Sequence, residues 1–314
     1  MIDNFGRDIN YLRVSVTQRC NLRCVYCGTE IPDAKEISAN DISKIVSAFA
    51  KCGITKVRLT GGEPLVRKDI VDITKKISNI DGIKKIAITT NGVLLSDYAK
   101  PLQDAGISVV NISLDSLNRE RYKKITGFDL LPTVLESIDV AEKVGMKIRV
   151  NTVLIKGENE DEAEDILNLA KDRKIDVRFI ELMPFSDTGS NEKLIVTGDE
   201  LIKKFDFLEK IDTGNSNFEK SVARYYKAEG FKGRIGFINP ISDKFCDGCN
   251  RIRLLSDGKI RPCLGYDSSV DIMPFIDDEE KLTQEIEKII LSKPNGHSFN
   301  CEYGNFHAMN KIGG

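Results

Sequence analysis

Histidine is nearly absent from these 314 residues, and tryptophan is absent altogether. The two histidines, His297 and His307, both lie near the end of the chain. A histidine-rich metal site or a Ser-His-Asp triad has almost no material here, and each histidine reads as a surface or packing residue. No apolar run reaches the ~18 residues that a membrane span needs, so no membrane partner is expected. Residues 1–10 carry no apolar signal-peptide core, and a cytoplasmic location is expected. Net charge is −2. Without a basic excess, nucleic acid is not an expected partner, and an anionic ligand would need a few placed Arg and Lys residues. The length suits one large domain, or one domain with a smaller appendage.

What the chain does have is cysteine, at 20, 24, 27, 52, 246, 249, 263 and 301. In a reducing compartment, clustered thiols are metal ligands more often than disulfides. Cys20, Cys24 and Cys27 are spaced C-x3-C-x2-C. Soft thiolates suit iron–sulfur clusters or zinc. A [4Fe-4S] cluster takes four thiolates, so three would leave one iron open to a small molecule. Structural zinc is the competing reading, but its paired C-x2-C habit fits the x3 spacing poorly. Cys52 reads as a small buried core residue. The second set, Cys246, Cys249 and Cys263, again offers three thiolates. Zinc competes more strongly there, because C-x2-C is common in zinc modules and Cys301 could be a fourth ligand. Beside this set, Arg251 and Arg253 of Asn250-Arg251-Ile252-Arg253-Leu254 would point the same way on a strand. Two guanidiniums suit a phosphate or carboxylate; the bland alternative is a solvated basic face.

Tyr11 to Thr17 alternates, placing Arg13, Ser15 and Thr17 on one face of an expected strand. Further strands are expected at 54–60, 84–90, 107–114, 146–155 and 175–183. Helices are expected at 69–79, 96–105, 133–144 and 161–173, after one capped by Ser38 and ending at Lys51. Pro101 is expected to bend or break its helix. Six alternations of strand and helix argue for a parallel α/β fold. In four strands the polar residues share one parity: 13/15/17, 58/60, 111/113/115 and 149/151. A flat sheet between helix layers would be apolar on both faces. A partial (βα)6 TIM-type barrel with a polar lumen fits better, with function at the C-terminal strand ends. From Pro184 the character changes to a polar link, a helix over 197–207 and short strands at 215–228, 234–239 and 249–255. The expected division is a barrel over 1–183 and a C-terminal region over 184–314 carrying the second cysteine set.

The first cysteine loop, with Tyr26 before its third cysteine and Gly61-Gly62-Glu63-Pro64 after the second strand, resembles the radical S-adenosylmethionine (SAM) enzymes. The C-x2-C-x13-C set with its R-x-R, and the closing Ile312-Gly313-Gly314, narrow the resemblance to the GTP 3′,8-cyclase family of molybdenum cofactor biosynthesis. It runs from about Arg7 to Gly314 and implies a (βα)6 partial barrel. It also implies two [4Fe-4S] clusters and SAM as cofactors. Cys20, Cys24 and Cys27 would hold the first cluster, whose open iron is chelated by SAM. Tyr26, Gly62, Ser113 and Met183 would contact SAM. Cys246, Cys249 and Cys263 would hold the second cluster, whose open iron takes the guanine base. Arg13, Arg58, Thr89, Arg149, Arg251, Ile252 and Arg253 would surround GTP, and Gly313 and Gly314 would reach into the active site.

The implied reaction begins with reductive cleavage of SAM. The resulting 5′-deoxyadenosyl radical takes the ribose 3′ hydrogen of GTP, and the new carbon radical closes on C8 of guanine. Implied partners are GTP, an electron donor such as a ferredoxin or flavodoxin, and the next enzyme of the pathway, cyclic pyranopterin monophosphate synthase. A second copy of the chain is a candidate homodimer partner. Two positions depart from the family. Arg149 stands where Lys is usual, which keeps the charge but replaces a point charge with a fork. Gly28-Thr29-Glu30 replaces a commoner Met-Pro.

The nearest rival is another radical SAM enzyme with an auxiliary cluster, of the peptide-maturase type. Such a chain would usually carry more C-terminal cysteines and lack R-x-R and the terminal Gly-Gly. A two-cluster electron carrier has no need of a six-unit barrel. An iron–sulfur regulator would need a DNA-reading basic helix, which the sequence does not offer. The third rival is a structural zinc protein, which metal analysis separates.

Overall fold

Ser38 opens the first helix with a reciprocal cap: its hydroxyl accepts from Asp41 N, and the Asp41 carboxylate accepts from Ser38 N. The helix then buries Ile42, Ile45, Val46 and Phe49 along one side, each worth about 1.5–3 kcal/mol as transfer from water. Buried apolar sides recur in the later helices, and a reciprocal cap recurs at Thr197. The computed structural model describes residues 1–27, 35–186, 188, 190–211, 222–297, 299 and 309.

The elements run β1 (Tyr11–Ser15), α1 (Ala39–Lys51), β2 (Lys56–Thr60), α2 (Ile70–Ser78), β3 (Lys85–Thr90), α3 (Leu95–Asp104), β4 (Ile107–Ser113), α4 (Arg119–Thr126), α5 (Leu131–Lys143), β5 (Lys147–Val153), α6 (Ala163–Asp172) and β6 (Asp176–Ile180). Then follow α7 (Gly198–Lys204), β7 (Glu209–Lys210), β8 (Arg224–Lys227), β9 (Ile235–Ile238), β10 (Arg251–Leu254), β11 (Lys259–Arg261), β12 (Val270–Asp271) and α8 (Glu279–Leu291).

Two differences from expectation stand out. Pro101 does not break its helix; α3 runs through it to Asp104. Only three residues follow the proline, and it sits on the exposed side, where a lost backbone hydrogen bond is replaced by water. The second difference is α4, which no apolar period announced. Asn118 caps it through Glu120 N and Arg121 N, and Gly127 closes it at φ 83°.

Among the described residues one sheet takes in every strand, in the order β12-β11-β10-β1-β2-β3-β4-β5-β6-β9-β8-β7. From β10 through β9 all neighbours are parallel. The strands beyond residue 184 thus extend the parallel stretch at both edges: β10 pairs with β1 and β9 with β6. This is an open, partial barrel. β5 shows how its faces are assigned: Ile148, Val150 and Thr152 are buried under the helices, while Lys147, Arg149 and Asn151 alternate to the lumen. The hydrophobic core is continuous from Ile9 to Ile290.

Candidate active site

The first cysteine loop leaves β1 and is tied down before it begins. Gly62 N donates to Thr17 O and Glu63 N to Arg19 O, both at 2.8 Å. A Cβ on Gly62 would stand 2.6 Å from Gln18 O and closer still to Arg19 O. The two glycines are therefore needed for the chain's approach to its own backbone at 17–19, just ahead of Cys20. On the other side, Arg23 N donates to Thr126 O (2.8 Å) and Val25 N to Ile125 O (3.0 Å), so the end of α4 braces the loop. Asn91 Nδ2 reaches Cys20 Sγ at 3.9 Å and Asn21 Oδ1 at 2.7 Å. Burial pushes the Cys20 thiol up, and the Cys24 thiol well up, with Asp115 and the two neighbouring cysteines adding to the latter. Metal coordination would offset that cost by holding the thiolate form.

Two carboxyls beside this loop are held high. Glu63 accepts from Thr90 Oγ1 (2.7 Å), Asn91 N (2.6 Å) and Leu65 N (3.0 Å), yet burial pushes it up to about 7. Asp115 accepts from the Tyr26 hydroxyl (2.5 Å) and Val153 N (2.9 Å), and burial pushes it up to about 6.

The barrel encloses a cavity of about 570 Å³. Its walls are cationic. Arg253 of β10, Arg13 of β1 and Arg58 of β2 are register neighbours across three parallel strands. Arg149 of β5 and Arg178 of β6 face them across the lumen. Burial, reinforced by the other guanidiniums, lowers Arg13 well below the usual arginine range and brings Arg253 to about 10; burial also brings Arg178 to about 10. Tyr11 lies between Arg58 and Arg251, whose guanidinium carbons stand 5.5 and 5.7 Å from its ring centre. Asp176 is 3.7 Å from Arg149 but is held chiefly by Arg234 at 2.5 Å. Arg58 Nε, Arg178 Nε, Thr89 Oγ1 and Asn151 Oδ1 are buried without a hydrogen-bond partner among the described residues. Buried like charges with donors to spare call for a polyanion.

The second cysteine set lines the same cavity. Cys246 and Cys249 flank a short 3₁₀ turn, and Cys263 follows β11. Burial pushes the Cys246 thiol up. Burial alone would do the same to Cys249, but Lys293, Arg251 and Arg7 hold it below the ordinary thiol value. None of the described cysteines is in a disulfide. Among the described residues no three His, Cys, Asp or Glu side chains close on a single ion. A mononuclear zinc site gathers its sulfurs on one metal at about 2.3 Å. A four-iron cluster gives each thiolate its own iron and spaces them wider. Both triads fit the cluster as donor sets: soft, half-buried, and three in number.

Of the residues expected around SAM, Tyr26, Ser113 and Met183 line the cavity, while Gly62 faces residues 17–19. Of those expected around GTP, Arg13, Arg58, Thr89, Arg149, Arg251 and Arg253 line it. Ile252 does not, its side chain being fully buried on the other face. Cys20, Cys24 and Cys27 are not among the lining residues, but their loop reaches the cavity through Tyr26, and Met309, which also lines it, donates from N to Cys27 O at 2.8 Å. Gly28, Cys301, His307, Gly313 and Gly314 lie outside the described residues. His297 packs against Phe299 and bonds Pro240 O at 2.8 Å. Sequence reasoning missed Arg178. The alternation Asp176, Arg178, Ile180 along β6 was the signal that could have found it.

The Radical SAM superfamily profile matches residues 14–170, and that of Molybdenum Cofactor Synthesis C matches residues 175–299. A curated GTP 3′,8-cyclase of Alkaliphilus oremlandii (strain OhILAs) is 45% identical over 325 residues, covering 100% of each chain. That of Peptoclostridium acidaminophilum is 45% identical, covering 100% of this chain and 98% of its own. That of Listeria monocytogenes serotype 4b is 44% identical, covering 94% and 91%. Among solved structures, Streptococcus suis SuiB superposes with a TM-score of 0.62 at 17% identity, covering 90% of this chain and 68% of its own. At that identity the likeness bears on the fold alone. No helix among the described residues is long and apolar enough to cross a membrane.

Proposed function

Because the chain belongs to the GTP 3′,8-cyclase family of radical SAM enzymes, we propose that it converts GTP to (8S)-3′,8-cyclo-7,8-dihydroguanosine 5′-triphosphate in molybdopterin biosynthesis. The observation that carries this for the chain's own residues is the cationic lumen lined by Cys246, Cys249 and Cys263 and, from the first cysteine loop, by Tyr26. A triphosphate is the ligand that such a wall of guanidiniums fits.

Radical SAM membership brings one [4Fe-4S] cluster and SAM. We assign the cluster to Cys20, Cys24 and Cys27. When bound and reduced, it supplies with SAM the radical that takes the ribose 3′ hydrogen. A second [4Fe-4S] cluster is assigned to Cys246, Cys249 and Cys263, next to the guanine base. Tyr26, Gly62, Ser113 and Met183 are assigned to SAM, Gly62 by letting residues 17–19 and the loop close up rather than by a side chain. Arg13, Arg58, Thr89, Arg149, Arg251 and Arg253 are assigned to GTP, with Ile252 contributing backbone, and Arg178 joins them. The chain's work is to hold two ligands in attack geometry and exclude water. Gly313 and Gly314 are assigned to closing the site. In this division residues 1–183 hold SAM and supply Arg13, Arg58, Arg149 and Arg178 of the phosphate wall, and residues 184–314 bring the second cluster with Arg251 and Arg253. A ferredoxin or flavodoxin as donor, direct transfer to cyclic pyranopterin monophosphate synthase, and a homodimer complete the proposal.

The experiment is anaerobic. The protein is reconstituted with iron and sulfide, given SAM, dithionite and GTP, and its products are weighed by mass spectrometry. 5′-Deoxyadenosine and a cyclised GTP of unchanged mass should form together. 5′-Deoxyadenosine with GTP untouched would show the substrate to be wrong, and neither product from a loaded protein would remove the activity altogether.

A further inference from the structure

Arg7 and Lys293 are buried cations, 6% and 2% exposed, that no step above uses. Arg7 Nε donates to Asp3 Oδ2 at 2.7 Å in an ion pair whose side chains are almost wholly buried. Its Nη1 donates to the carbonyls of Cys246 (3.2 Å) and Asn295 (2.8 Å), and its Nη2 to that of Pro294 (2.7 Å). Every edge of the guanidinium is engaged. The N-terminal arm, the first cysteine of the second set and the 293–295 segment are thereby held to one rigid plane. That segment presents Lys293, whose Nζ donates to Pro262 O at 2.7 Å, one residue before Cys263. Arg261 adds a bond from Nε to Cys263 O at 3.3 Å.

Charge separates Lys293 from its two companions. Asp3 neutralises Arg7, and Asp267 stands 3.6 Å from Arg261. Lys293 makes no ion pair among the described residues, and its hydrogen bond goes to a neutral carbonyl. A buried ammonium without a counter-charge is costly. Lys293 lines the same cavity as Cys246, Cys249 and Cys263, and metal-bound thiolates there would supply the missing negative charge. We propose that Lys293, seated by Arg7, is the counter-charge and positioning residue of the second cysteine set. The inference rests on the reading that this set holds an iron–sulfur cluster. A fixed positive charge beside such a cluster favours its reduced, more negative form and raises its potential.

The test uses the full chain with Lys293→Gln, Lys293→Arg and Arg7→Gln, each reconstituted anaerobically. Iron and sulfide are counted, and each cluster's midpoint potential is read by redox titration with electron paramagnetic resonance. Lys293→Gln, which keeps a donor for Pro262 O, should retain both clusters. The second cluster should shift to lower potential while the first stays where it was. Lys293→Arg should stay near the wild-type potential, and Arg7→Gln should lose iron from the second set alone. An unmoved second potential in Lys293→Gln, or equal shifts in both clusters, overturns the inference. If Lys293→Gln loads no second cluster, recovery in Lys293→Arg supports it and loss in both overturns it. A wild-type protein with only one cluster would bring down the underlying assignment and this inference together. Two wild-type clusters with unmoved potentials would bring down this inference alone.

Discussion

Arg13 and Arg253 are register partners across β1 and β10, two parallel strands drawn from opposite ends of the chain. Each is lowered by burial and by neighbouring guanidiniums. Two like charges in adjacent register repel, and a polyphosphate bound beside them would relieve that repulsion. Arg253→Gln should therefore leave the melting temperature without nucleotide equal to or above wild type. It should also shrink the rise on adding GTP and raise KM for GTP about 10–100-fold, the scale of a lost charge-assisted hydrogen bond. Anaerobic thermal melts with and without GTP measure both effects. A full GTP-induced rise in the variant would place the phosphates elsewhere.

Gly62 tests whether backbone approach governs the first cluster. Gly62→Ala places a methyl group against Gln18 O and Arg19 O, and residues 18–20 must move. The variant should lose the iron of the first cluster and 5′-deoxyadenosine formation, while the second set keeps its own. Iron analysis with spectroscopy decides. Full loading of both clusters would mean that the loop tolerates the shift.

The two cysteine sets should separate by function. Cys24→Ala should abolish SAM cleavage. Cys249→Ala should keep SAM cleavage but lose cyclised GTP. Product analysis of the two variants side by side reads this, and SAM cleavage surviving in Cys24→Ala would contradict the assignment.

Arg149 should accept its family's residue. Arg149→Lys keeps the charge and should cost GTP turnover less than about 10-fold, whereas Arg149→Met should cost about 100-fold or more. Equal losses would mean that the fork, and with it the 3.7 Å approach to Asp176, is required here.

Glu63 and Asp115 make stability depend on pH. The folded value of Glu63 is about 7 against 4.5 unfolded, and that of Asp115 about 6 against 3.8. Both are raised, so their contribution is fully present below the unfolded values and lost as pH rises through the folded ones. The loss is on the order of 3 kcal/mol for each. The urea midpoint should fall between about pH 4.5 and pH 8, and Glu63→Gln should flatten that slope. A wild-type midpoint that rises across this range would mean that both groups ionise normally.

Much of this site was legible because strand side chains alternate strictly. Arg13, Arg58 and Arg149 were placed in one lumen by parity alone, and the structure puts all three on the cavity wall. Arg178 obeys the same rule on β6, two residues after Asp176, and lines the cavity. What parity does not carry is contact between distant backbones. A Gly-Gly pair in a sequence names no partner for the close approach it permits; here that partner is the chain's own 17–19 segment. The brace from α4 escaped for a related reason. The helix is nearly all polar, with Tyr122, Ile125 and Thr126 as its buried residues, so its apolar stripe is too short to register as a period. Arg7 read as the start of a resemblance; its grip on Cys246 O spans 239 residues, which no local pattern reports.

The pairing of β1 with β10 has a consequence for the order of events during synthesis. Tyr11 lies beside Arg251, some 240 residues later. At about 5–20 residues per second the ribosome needs roughly 10–50 s to deliver that partner. Through this interval the first strand has β2 on one side and an unpaired edge on the other. Cys20, Cys24 and Cys27 have meanwhile emerged, without the far wall that will shut them in. The three thiols of the first loop are therefore synthesised long before those of the second set, which is completed only at Cys263. An uncovered parallel edge of this kind is a template for edge-to-edge association until β10 arrives.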